Sequence, residues 1–237
     1  MAVAVSVALL AACGASGDTT TSGPAVGREL RAAASATRAA PSYVVDLTSE
    51  EFGVRDPGGV HPQRPMRARI VYQAPNSEEL FDVGRKEIVV GQDEYIQGRP
   101  FVASGKWLEL GPFPSPVDPY IAQGDWALGL LTGARAARRT GDTFTAAATV
   151  DAYVSYPIPV QGRFSATITA VVRSGRVQSE QLRLVHAQVG QRLSLRFSSL
   201  GVAPAVSVPS GTALAPSPCS GTHPSEPGKV AFLCHPG

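Results

Sequence analysis

Residues 163–177 read Arg-Phe-Ser-Ala-Thr-Ile-Thr-Ala-Val-Val-Arg-Ser-Gly-Arg-Val. Phe164, Ala166, Ile168, Ala170 and Val172 alternate with Ser165, Thr167, Thr169 and Arg173. Side chains in a strand point to opposite faces in turn, so this stretch has one apolar face and one polar face. That is the pattern of an antiparallel strand covered on one side. Ser174-Gly175 supplies a hairpin turn, and Val177 to His186 returns. A slip of phase near Glu180-Gln181 predicts a bulge on the returning strand.

The same period of two recurs on both sides of this hairpin. Upstream, Phe144, Ala146, Ala148, Val150, Ala152 and Val154 oppose Thr143, Thr145, Thr149, Asp151 and Tyr153. Downstream, Leu193, Leu195 and Phe197 alternate with Ser194, Arg196 and Ser198. Further back, Tyr43, Val45 and Leu47 form one strand, and Met66, Ala68, Ile70 and Tyr72 another, with Arg67, Arg69 and Gln73 on its wet face. Shorter strands are expected at Glu78 to Val83, at Lys86 to Val90, from Tyr95 onward, and at Lys106 to Leu110 with Trp107. Glu50 to Pro65, rich in Gly and Pro, reads as a loop.

Two helices are expected beside these strands. Val26 to Ala40 is alanine-rich and is stopped by Pro41. The second begins at Asp118-Pro119, an N-cap acid followed by proline at the first helical position, and ends at Gly133. Beyond the cap its only charge is Asp125. Tyr120, Ile121, Trp126, Leu128, Leu130 and Leu131 cover more than one of its faces, so it must be buried. The class is therefore α+β, an antiparallel sheet with helices against its apolar side.

The apolar faces of the two longest strands carry small residues, among them Ala146, Ala148, Ala166 and Ala170. Small side chains leave volume unless an opposing layer fills it. Two readings follow. In one, the second helix fills the space and the core is closed. In the other, part of the space accepts an apolar ligand, lined by Tyr120, Ile121, Trp126, Leu128 and Leu131 on the helix and by Ala146, Ala148, Ala166, Ile168 and Ala170 on the sheet.

The chain begins with twelve residues free of charge and proline, ending in Leu10-Ala11-Ala12-Cys13. This run is too short to span a bilayer and reads as the apolar region of a secretory signal. The usual basic region before it is absent, so the reading expects a late-assigned start or a truncated signal. Leu-Ala-Ala-Cys resembles the bacterial lipobox, which implies a diacylglycerol thioether on Cys13. Its acyl chains would hold the protein to a membrane, at roughly 0.8 kcal/mol per buried CH₂. The plainer alternative is an ordinary signal with an incidental cysteine.

The expected organisation is a signal peptide at 1–12, a flexible tether at 13–25, a main domain at 26–209, and a Pro/Ser/Gly-rich tail at 210–237. With Cys13 lipidated, Cys219 and Cys234 remain as an even pair in an exported chain, and a disulfide is expected. By the chain-entropy model a loop of that size contributes about 3 kcal/mol. A zinc site made with His223 and His235 is the weaker reading, because Cys234 and His235 are adjacent and poorly placed on one tetrahedral ion.

Composition excludes several classes. A formal charge of +2 over 237 residues gives no basic field for nucleic acid. No nucleophile elbow, zinc-protease helix, phosphate-binding Gly loop or C-x-x-C is present, so no catalytic residue, metal or cofactor is expected. Glu50, Glu51 and Asp56 share a loop, Glu78, Glu79 and Asp82 another segment, and Asp93 and Glu94 a turn, all places where acids are solvated, and His186 reads as a satisfied core histidine. Arg135, Arg138 and Arg139 read as a solvated strand edge; contact with anionic headgroups is the alternative.

The alanine-rich helix, the strand ending Ile70-Val71-Tyr72-Gln73-Ala74-Pro75, and Ile88-Val89-Val90-Gly91 with Tyr95 and Trp107 together resemble the LolA-like lipoproteins of actinobacteria, the LppX/LprG group. The resemblance covers about Val26 to Pro209. It implies a strongly curved antiparallel sheet, a half-barrel, wrapped around a few helices. It also implies carriage of lipid or lipoglycan cargo across the envelope, without chemistry. The implied setting is the extracytoplasmic face of the cell membrane, anchored through lipidated Cys13. A closed-core envelope protein acting through a protein partner is the alternative.

Overall fold

In the computed structural model, the described residues are 19–53, 55–56, 59–60, 65–81, 84–91, 93–98, 106–112, 123–154, 160–209 and 214–215. Cys13, Tyr120, Ile121, Cys219 and Cys234 lie outside them.

In chain order the elements are β1 (Thr20–Ser22), α1 (Pro24–Arg38), β2 (Ser42–Phe52), β3 (Arg55–Asp56), β4 (Gly59–Val60), β5 (Met66–Gln73), β6 (Asn76–Phe81), β7 (Lys86–Val90), β8 (Asp93–Gln97) and β9 (Trp107–Pro112). There follow α2 (Gln123–Gly133), β10 (Arg135–Thr140), β11 (Thr143–Val154), β12 (Val160–Arg173), β13 (Arg176–His186), β14 (Val189–Ser198) and β15 (Leu214–Ala215). Among the described residues, thirteen strands form one sheet in the order β1-β10-β11-β12-β13-β14-β2-β5-β6-β7-β8-β9-β15. Every pairing is antiparallel except β9 with β15. The sheet is open and curved, with α1 and α2 against its inner side, the half-barrel expected from the resemblance. Twist accumulates over so many strands, and bulges in β10, at Val171/Val172 and at Glu94/Tyr95 add to the bend.

Register fixes which side chains share a face. Phe144, Ala170, Glu180, Leu195, Leu47 and Ala68 lie in one row across β11, β12, β13, β14, β2 and β5. All six are buried. Their neighbours along each strand, such as Ile168, Leu182, Leu193, Val45 and Ile70, belong to the same inner face and the same apolar core. The outer face of these strands carries Arg67, Arg69, Arg183, Arg192 and Arg196, all exposed.

Helix α1 starts at Pro24, which lacks an N–H that the helix could not use there. It buries Val26, Leu30, Ala33 and Ala34. Thr37 joins it to the sheet: its hydroxyl donates to Ala33 O at 2.8 Å and accepts from Val177 N–H at 2.8 Å. Arg176 donates to Ala36 O beside it. Helix α2 packs against α1 and β11. Its described part begins at Gln123; the expected start at Asp118-Pro119 lies outside the described residues.

Several details differ from the sequence expectation. Strand β2 continues into the expected loop, to Phe52, because β14 offers Gly190 opposite it. A Cβ at Gly190 would stand 2.1 Å from Leu184 O and 2.4 Å from the Phe52 ring, so only glycine admits that ring. Arg183 and Arg192 lie 5.1 and 5.0 Å from the same ring. The expected tether forms β1 over Thr20–Ser22, paired with β10. That pairing means β10 is not the sheet edge among the described strands. Arg139 is not simply solvated either: it pairs with Glu29 of α1 at 2.6 Å and donates to Gly141 O.

The sequence places the segment after β14 in the main domain without assigning it an element, and it crosses the outer face of the sheet. Ala203 N–H donates to Ser42 Oγ, and Val206 N–H donates to Gln73 Oε1 at 2.9 Å. Val206 then packs with Ile88, Tyr95 and Trp107 as a second, outer apolar cluster. Lys86 pairs with Glu78 at 2.7 Å and lies over the Trp107 ring.

Candidate functional site

The inner face is built by the period-two alternation of β11 to β14, β2 and β5, and is roofed by two helices. Of the ten expected lining residues, the eight that are described all join one apolar cluster: Trp126, Leu128, Leu131, Ala146, Ala148, Ala166, Ile168 and Ala170. Leu128, Leu131 and Ile168 are fully buried, and Ala166 and Ala170 nearly so. A side chain lining an open space keeps accessible surface, so these five meet packed atoms. The margin is different. Trp126 and Leu130 of α2, Ala148 and Val150 of β11, and Met66 and Tyr72 of β5 remain partly exposed while packed on the core. Tight packing thus holds at the centre, and apolar surface reaches solvent around it.

The roof is held by an ion pair between its two helices. Arg38, in the last turn of α1, donates from Nε to Asp125 Oδ1 at 2.5 Å and from the terminal NH2 to Oδ2 at 2.6 Å. Asp125 lies in the first turn of α2. Each charge stands at the helix end whose dipole favours it. The hydrogen bond from Arg38 to Asp125, and then their opposite charges, raise the guanidinium pKa further. Tyr43 and Tyr72 stack near this pair, ring centroids 4.8 Å apart. Burial, and after it the Asp125 charge, push the Tyr43 phenol well up.

Among the described residues three carboxyl side chains are buried, one of them Glu94, which the sequence reading took for a solvated turn acid. Glu180 is inner-facing on β13, between Ala170 and Leu195, at 0 % exposure. Among the described residues neither of its oxygens has a hydrogen-bond partner. Burial pushes its carboxyl well above the ordinary carboxylate range and so favours the neutral acid. Glu87 and Glu94 are buried on the inner face of β7 and β8, where register places Glu87 opposite Ile96 and Glu94 opposite Val89. Burial raises Glu87 to about 7, against the opposing pull of Arg85, whose Nε is 2.6 Å away, and with the Glu94 charge adding to the rise. The sequence held a signal for Glu180: alternation counted back from Leu184 and Leu182 puts it on the apolar face. The expected bulge falls two residues before it, where Val171 pairs with Ser179 but Val172 with Val177.

Among the described residues no group of three or more His, Cys, Asp or Glu is placed to hold a metal. His186 is tied down, its Nδ1 3.0 Å from Arg163 O and its ring 5.3 Å from that of Phe164. Among the described residues no helix is long and apolar enough to cross a membrane.

No protein-family model and no curated protein matches the chain in sequence. Solved structures do match. LprF from Mycobacterium bovis aligns with a TM-score of 0.51 at 16% identity, over 81% of this chain and 100% of its own. Mycobacterium tuberculosis lipoprotein LppX aligns with a TM-score of 0.45 at 16% identity, over 78% of this chain and 99% of its own. A LolA superfamily protein from Nitrosomonas europaea aligns with a TM-score of 0.32 at 13% identity, over 73% of this chain and 91% of its own. The likeness to LprF shows the fold: an open, curved antiparallel sheet with helices against its inner side.

Proposed function

We propose that this protein is a membrane-anchored envelope lipoprotein that binds or carries apolar lipid cargo between the inner face of its sheet and its two helices. The observation that carries the reading is the inner face itself. A large one-sided sheet is roofed by only two described helices, and apolar side chains at the roof margin, Trp126, Leu130, Ala148 and Val150, stay partly exposed. Acyl chains entering there meet no charged side chain on that part of β11, and separating α2 from the sheet would lengthen the apolar surface available to them. Lipidation of Cys13 would hold the domain at the extracytoplasmic face of the cell membrane, beside a source of lipid. The cargo class is lipid or lipoglycan, and the process is carriage without catalysis.

A second reading has its own observation. Leu128, Leu131 and Ile168 are fully buried, which suits a closed core that acts through contacts with an envelope protein. Native mass spectrometry separates the two. The chain carrying Cys13→Ser, purified from its native host, is weighed and then extracted with organic solvent. Added mass with extractable lipid supports carriage. A clean protein mass and an empty extract sink it and leave the protein-contact reading.

A further inference from the structure

Positive charge gathers at the corner formed by β1, β10 and α1. Strand β1 pairs with β10, Gly23 follows it, and α1 then packs beside β10. A Cβ at Gly27 of α1 would stand 4.0 Å from that of Ala137 on β10 and 3.3 Å from the Arg31 guanidinium. Arg135 and Arg138 lie on β10, and Arg28 and Arg31 on α1, all exposed or partly so. The acids of these three elements and of the turn after β10 are Glu29 and Asp142. Glu29 is taken up by Arg139, and Asp142 by Arg173. Among the described residues no ion pair engages the other four arginines.

The strand is bent so as to aim two of them. Arg135 pairs with Ala147 and Arg138 with Thr145, so β10 carries one extra residue between them. Three residues apart on a regular strand, they would face opposite sides. The bulge puts both on the outer side, level with exposed Ala147 and Thr145, and turns Ala137 into the core. Ala136 takes φ 51° there, a conformation alanine ordinarily avoids. The corner is also the part of the fold nearest Cys13 along the chain. From Cys13 to Thr20 the extended chain reaches at most about 25 Å, so a lipid on Cys13 keeps β1, and with it β10, close to the headgroup layer. An acidic protein fits the corner less well. Protein interfaces centre on aromatic or large apolar anchors, and the exposed large apolar residues described are Leu80, Val202 and Val208, none of them on these elements.

We infer that Arg28, Arg31, Arg135 and Arg138 form a docking surface for anionic lipid headgroups, which sets the orientation of the domain on the membrane. This rests on the anchoring reading above and adds which side of the domain meets the bilayer. The chain carrying Cys13→Ser is sedimented at low salt with vesicles of phosphatidylcholine alone and with vesicles about one-third phosphatidylglycerol. It should prefer the anionic vesicles by roughly a hundredfold and lose that preference in high salt. Arg135→Gln with Arg138→Gln should weaken the anionic binding by roughly tenfold, and Arg28→Gln with Arg31→Gln by a similar factor. Arg135→Lys with Arg138→Lys, and the control Arg67→Gln with Arg196→Gln on the outer face of β5 and β14, should stay within about twofold. Equal loss in that control, or no preference in the parent, overturns the inference. Capture on immobilised poly-glutamate without binding to the anionic vesicles overturns it too, in favour of an acidic protein. The intact mass of the chain from host membranes reads acylation of Cys13 separately. An acylated chain whose soluble form has no vesicle preference sinks the docking surface and leaves the anchor. A preference in a chain found without acyl groups supports the docking surface and removes the anchor.

Discussion

Arg38 and Asp125 join the end of one helix to the start of the other through two parallel N–H···O contacts. The pair is about half exposed, with side-chain exposures of 51% and 37%, so solvent screens it. Its fork geometry is nevertheless favourable, and it is the point at which α2 is tied to α1 by charge. Arg38→Ala should lower stability by about 1 kcal/mol, and Asp125→Ala by a similar amount. In a double-mutant cycle followed by urea unfolding, a coupling energy of zero would show that the contact is geometric only.

Two glycines should respond in opposite ways to alanine. Gly190→Ala drives a methyl into Leu184 O and the Phe52 ring, and should cost about 2–4 kcal/mol or unfold the β2–β14 end of the sheet. Gly129, inside α2, has nothing within 4 Å of an added Cβ. Gly129→Ala should stabilise by about 0.5–1 kcal/mol through helix propensity and a less free unfolded chain. Thermal melts of the two variants beside the parent check both signs.

Stability should fall as pH rises from about 4.5 to 7. Glu87 is raised to about 7 in the folded protein, above its ordinary value of 4.5, so between those values the folded state holds more protons than the unfolded state. Its stabilising share is complete below the unfolded value and is lost as pH passes the folded one, up to about 3 kcal/mol. Glu180 is raised in the same direction by burial and adds to the same trend. Denaturant midpoints measured at pH 5 and pH 8 should differ, and Glu87→Gln should flatten the difference. A midpoint rising with pH in the parent would contradict the buried-acid account.

Much of this architecture was legible because alternation is a local property. The shared inner face of β11 and β12, with Ala146, Ala148, Ala166 and Ile168, follows from alternation visible in each strand alone, whereas their pairing in register is seen only in the fold. Helix α1 was found within two residues of its true start, since Pro24 takes a role that alanine-rich sequence does not announce. What escaped were features made by contact between distant residues. Phe52 reads as a loop residue until Gly190, far along the chain, gives its ring a seat. Val206 sits in a Pro/Ser/Gly-rich run, and only Gln73 and the Trp107 cluster give it structure. Glu94 was misread because acids at turns are ordinarily solvated, so residue type outweighed the strand face that register gives it.

The margin of the roof and its centre should behave differently when altered. Leu128→Ala removes a fully buried side chain and should destabilise by about 2–5 kcal/mol. Ala148→Trp adds bulk where the inner face is partly open, so stability should change by less than about 1.5 kcal/mol while lipid co-purification drops. Native mass spectrometry of the tryptophan variant reads this directly. Undiminished bound lipid would place the cargo elsewhere.

The strap from Gly201 to Pro209 gives the molecule a stiff side and a yielding side. It leaves β14, hydrogen-bonds to Ser42 of β2 and Gln73 of β5, and reaches Trp107 of β9, so it laces together on the outside strands that are far apart in the sheet order. Flattening the sheet would strip those bonds at once. Helix α1 is bonded to the sheet through Thr37, Ala36 and Glu29, whereas α2 is held to α1 by a screened ion pair and to β11 by apolar packing, which tolerates sliding. Any gain of interior volume is therefore taken up by the roof, while the strapped wall keeps its curve and its register.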